Sequence, residues 1–130
     1  MPQRVKIEFR QGLLFCEAEI HSKKKKSFLI HLAVDTGATV TIISPDAARF
    51  IGINPAFSKR VREVTTGSGS VMCPLITIPY FICLGQTIKN LEVFCHTLPE
   101  ESPVEGLLGL NFLKNFDIRI NFRKGYLETS

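Results

Sequence analysis

The sequence predicts a mostly-β domain, a closed or folded barrel carrying one or two short helices. Short runs of alternating or β-branched hydrophobes recur along the whole chain, with glycine, proline and serine turn signals between them. Only two stretches read as helical, and both are short. With 130 residues, 45% of them hydrophobic and 22% charged, the chain suffices for one ordinary core and not for two lobes. Residues 1–130 therefore read as one domain.

The elements follow in order. Val5, Ile7 and Phe9 alternate with Lys6 and Glu8, the pattern of a half-buried strand. Gly12 marks a turn, after which residues 13–20 and 27–34 flank a lysine-rich tip as a β-hairpin. Residues 39–43 are β-branched throughout and predict another strand. Ser44 then offers an N-cap with Pro45 at the first helical position, opening a helix to about Phe50 that Gly52 ends. Residues 61–65 and 71–78 read as strands joined by 66–70, and Pro79 as a break. Residues 80–84 and 87–96 form a hairpin around Gly85, and the proline- and glutamate-bearing stretch 97–105 a surface loop. A short helix at 110–115 precedes two closing strands, 117–122 and 126–129, that turn at Lys124-Gly125.

Charge and cysteine usage narrow the function classes. The net charge of +4 owes much to residues 23–26, four consecutive lysines that read as a solvated hairpin tip. No arginine-aromatic interleaving accompanies them, so nucleic acid is not an expected partner. No apolar stretch approaches the roughly 20 residues of a membrane span, and 1–10 has no apolar signal core. Cys16, Cys73, Cys83 and Cys95 form no C-x-x-C pair and sit in apolar runs, as buried reduced thiols do, which points to the cytoplasm. His21, His31 and His96 have no metal-ligand spacing.

Three segments carry the chemistry. Asp35-Thr36-Gly37-Ala38 follows directly on the apolar run 28–34, and its Asp-Thr-Gly occurs once. Gly37 admits backbone conformations closed to other residues and lets another main chain approach, and Ala38 is small to the same end. TGSGS at 66–70 gives a hairpin tip freedom through Gly67 and Gly69. GLLGLNFL at 106–113 follows about 70 residues after Asp35, and its Gly109 permits a close backbone approach.

In that order the three segments resemble the retropepsin-like aspartic peptidases, the group of the retroviral proteases and the related domains of cellular DNA-damage-inducible proteins. The resemblance spans residues 5–127 and implies the retropepsin-like acid protease fold, active as a two-fold dimer. It makes Asp35 the catalytic residue, with Thr36, Gly37 and Ala38 completing the active-site loop. Peptide hydrolysis by this route uses two carboxylates sharing one proton, because like charges about 3 Å apart cannot both ionise. Asp46 fits the first turn of a helix, and Asp117 opens a strand with no glycine after it; these are the other aspartates, and neither resembles a second catalytic loop. The second carboxylate must then come from another chain.

The resemblance also implies that the Thr36 hydroxyl bonds across the dimer axis. It assigns Gly37, Thr39, Gly67, Ser68 and Gly69 to the substrate, with 66–70 as the tip of a flap. Leu107, Leu108 and Gly109 become structural support, a strand passing close behind the active-site loop. No metal or organic cofactor is implied. Retroviral members carry acidic residues after the alanine, where this chain has Thr39 and Val40, and an arginine after the glycine, where it has Leu110. A dimer here must therefore be braced differently, and 126–129 is the candidate for an intersubunit sheet.

The expectation is a homodimeric aspartic endopeptidase acting on an extended polypeptide. Two alternatives stand beside it. One is a peptide-binding or dimerisation module of the same fold that hydrolyses nothing, and the other is one half of a hetero-oligomer.

Overall fold

The structure, a computed structural model, describes residues 2–24 and 26–130. Strand β1 (Gln3–Lys6) gives way at Ile7 to β2 (Glu8–Arg10), where the sequence predicts one continuous strand. The split has a cause. Ile7 is buried and donates its N–H to the Gly125 carbonyl at 3.0 Å, so the chain turns a corner there and changes sheets. Phe9, beyond the corner, is exposed and meets Phe122 edge to face.

Strands β3 (Leu13–His21) and β4 (Ser27–Val34) form the predicted hairpin, in register from Phe15↔Ala33 to His21↔Ser27. Ser22 holds its tip, donating N–H to the Lys26 carbonyl and accepting the Lys26 N–H on Oγ, at 2.9 and 3.0 Å. Lys25 of the lysine tip lies outside the described residues. Beside β4 runs β9 (Gly106–Leu108), parallel to it, then β5 (Ile42–Ile43), β8 (Gln86–Cys95) and β7 (Gly69–Cys83). Strand β7 returns to β3 through Ala18↔Cys83 to His21↔Tyr80, closing six strands into a barrel. Strand β2 and β6 (Val61–Thr66) extend it at either end.

The barrel encloses Ile20, Ile30, Leu32, Ile43, Ile78, Phe81, Val93 and Leu108, all but inaccessible to water. Burial of such side chains, at about 1.5–3 kcal/mol each, is the main term holding the fold. Helix α1 (Pro45–Phe50) starts as predicted: Ser44 Oγ accepts the Ala47 N–H at 3.2 Å, and Ala47 and Ala48 face the core. Helix α2 (Leu110–Leu113) sets Phe112 against Phe81 in that core.

Two further expectations change. The β-branched run 39–43 is strand only at Ile42–Ile43, because α2 claims the rest: Leu110 N–H donates to the Ala38 carbonyl and Asn111 N–H to that of Thr39. Pro79 does not break the chain; β7 runs through it. His21↔Tyr80 is the last β3–β7 pair, so no β3 partner faces Pro79. On the β8 side the register passes from Ile78↔Leu91 to Tyr80↔Lys89, and the intervening Asn90 takes φ +57. The ladder steps over the missing N–H.

The chain ends form a separate three-stranded sheet, β1 beside β11 (Tyr126–Thr129) beside β10 (Ile118–Asn121). Strand β11 is thus flanked on both sides within the chain and has no edge for an intersubunit sheet. Among the described residues no helix is long and apolar enough to cross a membrane.

Candidate active site

Asp35 is the first residue beyond β4, and its N–H is fixed to the Leu108 carbonyl of β9 at 2.9 Å. The chain then doubles back: Ala38 N–H donates to the Asp35 carbonyl at 3.2 Å, and Gly37 N–H to Asp35 Oδ1 at 2.8 Å. A Cβ on residue 37 would stand 3.1 Å from that same oxygen, so glycine lets the carboxylate lie over the turn. A half-buried carboxylate is thereby held in one orientation with Oδ2 unengaged by any hydrogen bond among the described residues. Thr36 beside it is exposed, and its hydroxyl has no partner among them.

The loop is anchored from behind. Gly109 is packed so closely that a Cβ there would fall 2.7–2.9 Å from the backbone of Ala38, Val40 and Thr41. The fully buried Thr41 receives the Gly109 N–H on Oγ1 at 3.0 Å. Its own N–H and Oγ1–H both donate to Asn111 Oδ1 at 2.8 Å, and Asn111 Nδ2 donates to the Glu92 carbonyl at 2.6 Å. The buried polar groups of this junction satisfy one another, which rigidifies it. Leu108 and Gly109 thus lie behind the loop, while Leu107, read from the sequence as part of the same support, lines the cleft in front of it. Thr41 and Asn111 went unnoticed in the sequence, although Asn111 stands only two residues after Gly109.

In front of Asp35 opens a cleft of about 780 Å³. Leu107, Ile42 and Phe94 form one side of it, in register across β9, β5 and β8, so their side chains make a single apolar row. Strand β8 explains why Phe94 and His96 reach the cleft: Leu91, Val93 and Cys95 turn into the core, leaving the alternate residues on the opposite face. No charge pattern marks this alternation, so Phe94, His96 and Leu98 do not stand out in the sequence. Among the described residues, Asp35 and Glu63 are the carboxylates lining the cleft, and no lysine or arginine lines it.

The facing wall is the β6–β7 hairpin. Its two-residue tip, Gly67-Ser68, is bridged by Thr66↔Gly69, with Thr66 Oγ1 donating to the Gly69 carbonyl at 2.7 Å. Gly69 takes φ +117, closed to other residues. Of the residues expected to meet a substrate, Gly37, Thr39, Gly67 and Ser68 line the cleft together with Asp35 and Ala38, while Gly69 does not. Among the described residues no three His, Cys, Asp or Glu side chains cluster as metal ligands would.

The family described as gag-polyprotein putative aspartyl protease matches residues 22–115. DNA damage-inducible protein 1 of Neurospora crassa is 31% identical over 118 residues, 88% of this chain and 24% of that protein. UBA domain-containing protein Mud1 of Schizosaccharomyces pombe is 31% identical over 117 residues, 89% of this chain and 32% of its own. The chain therefore spans about a quarter to a third of the curated relatives it matches. A retropepsin-like aspartic protease from Rickettsia conorii has the same fold, with a TM-score of 0.73 at 22% identity, covering 99% of this chain and 91% of that one. With the family match running through the Asp35 loop to the end of α2, the chain belongs to the gag-polyprotein aspartyl protease family and carries the retropepsin-like fold.

Proposed function

We propose that the chain is an aspartic endopeptidase whose catalytic dyad is one Asp35 from each subunit of a homodimer. The observation that carries this reading is the Asp35 carboxylate, fixed by the Gly37 N–H and lining a cleft of about 780 Å³. A carboxylate held this way, with one oxygen unengaged, suits a partner of the same kind facing it. Thr36, exposed at the same loop, supplies a hydroxyl for the opposite subunit.

The chemistry follows from the pair. Two carboxylates in contact hold one proton between them, and their titration belongs to the dyad rather than to either copy. The ionised member removes a proton from water as the water oxygen attacks the scissile carbonyl. The protonated member donates to the carbonyl oxygen, and the resulting tetrahedral species collapses as the amide nitrogen is protonated. The peptide lies as an added strand between the Leu107–Ile42–Phe94 row and the 66–70 tip. Closure of that tip excludes water and strengthens the local electrostatics.

Wild type and Asp35→Asn are incubated with a diverse peptide library from pH 3.5 to 7.5, and new termini are read by mass spectrometry. Cleavage by wild type alone is expected, with loss of about 10³-fold or more in the variant while its dimer persists. Robust cleavage by Asp35→Asn would sink the mechanism. A wild-type protein that binds peptide as a dimer and never cleaves it would be a binding module.

A further inference from the structure

Away from the cleft, two cysteines from distant parts of the chain meet. Cys16 on β3 and Cys83 at the end of β7 have their sulfurs 3.8 Å apart, on strands paired through Ala18↔Cys83. Their environments differ. Cys83 is 2% exposed and donates its S–H to the Glu17 carbonyl at 3.3 Å. Its contact with Cys16, reinforced by burial, pushes its thiol well above the ordinary cysteine range. Cys16 is half-buried and borders a separate cavity of about 290 Å³, lined also by Lys6, Ile7, Glu17, Ile82 and Cys83 itself.

We propose that Cys16 and Cys83 form a reversible dithiol modification site that takes hydrogen peroxide as its oxidant. Cys16 is the more exposed of the two sulfurs that border the cavity, and so the first an oxidant meets. Its thiolate attacks one peroxide oxygen, the O–O bond breaks, and Cys16 sulfenic acid forms as hydroxide leaves. The Cys83 sulfur then attacks the Cys16 sulfur; the S–S bond forms, the S–O bond breaks, and the departing hydroxide takes the Cys83 proton as water. In sum, two thiols and one peroxide give one disulfide and two waters. The sulfurs must approach by a little under 2 Å to reach a bond of about 2.05 Å. Cys73 and Cys95, at 1% and 3% exposure, are shielded from the same oxidant and serve as internal controls.

The link would tie β3, which leads through its hairpin to Asp35, to the end of the strand whose beginning forms the 66–70 tip. Such a long-range cross-link stabilises chiefly by restricting the unfolded chain.

The test is peroxide treatment of the reduced wild-type chain, quenched with catalase, with thiol titration, intact mass, peptide mapping and thermal melting as readouts. Two of the four thiols should disappear. The mass should fall by about 2 Da as two hydrogens are lost, and mapping should return one linked peptide pair, Cys16 with Cys83. The Tm should rise by about 5–10 °C and revert with dithiothreitol. In Cys83→Ala, Cys16 should stop at sulfenic acid, captured by dimedone. The proposal is overturned by four surviving thiols, by Cys16 passing to sulfinic acid in wild type without linking Cys83, or by links between chains.

Discussion

Thr41 shows how one hydroxyl can hold the Asp35 loop. It accepts from the buried Gly109 N–H and donates to the half-buried Asn111, so its loss strands a buried N–H and weakens the Asn111 contact together. Thr41→Val keeps the shape and removes the hydroxyl; the expected cost is about 1–3 kcal/mol in denaturant unfolding. Peptidase activity should fall further than stability accounts for at temperatures where the variant is folded. Thr41→Ser should recover most of both, and a Val variant as stable and active as wild type would show that packing alone holds the loop. At this scale Gly37 and Gly109 were legible because the close approaches around them demand glycine, and Asp35 because it opens the Asp-Thr-Gly motif. Thr41 looked like one more β-branched strand residue, and only the fold brings it within 3 Å of Gly109 and Asn111.

Elements were readable where local chemistry decides them. The β3–β4 hairpin and α1 match their sequence signals, since alternation and an N-cap act within a few residues. The run 39–43 and Pro79 were misread because their hydrogen bonds are settled by α2, β3 and β8, far away in sequence. Burial within these elements also sets a pH response. Cys95 on β8 is pushed up from 9.0 to about 12, mainly by burial, against the opposing pull of Arg49. Cys73 and Cys83 on β7 are raised as well. A raised folded value means that the folded chain keeps its proton where the unfolded chain has lost it. The contribution of Cys95 is therefore whole below about pH 9 and is lost as pH climbs toward 12, at about 1.4 kcal/mol per pH unit. Denaturation curves between pH 8.5 and 11 should steepen accordingly, and Cys95→Ala should lower the slope whatever it does to the stability at neutral pH. An unchanged slope would place the alkaline sensitivity elsewhere.

The molecule as a whole presents a barrel with one Asp35 loop, and the proposed chemistry needs two. The terminal sheet is the natural place to ask how copies associate, and here the sequence reading had to move from β11 to its neighbours. Asp117 and Ser130 exchange both backbone hydrogen bonds, at 3.0 and 3.1 Å. Antiparallel alternation then turns the N–H groups of Ile118 and Ile120 away from β11, toward the outer edge of β10. That edge, or the matching outer edge of β1, can pair with a second chain, whereas β11 cannot. Whatever surface is used, a shared dyad has a kinetic consequence that separates it from any site complete within one chain. Wild-type chains mixed with Asp35→Asn, under conditions where subunits exchange, distribute at random into dimers, and only wild-type pairs carry two carboxylates. A ninefold excess of the variant should therefore leave about a tenth of the wild-type activity at fixed wild-type concentration, since about nine in ten wild-type chains then face an inactive partner. Dilution of wild type alone should lower specific activity as dimers dissociate, and sedimentation should show the same concentration range of dissociation. Activity indifferent to the excess variant, in subunits shown to exchange, would mean that one Asp35 suffices and would remove the two-fold dyad from the account.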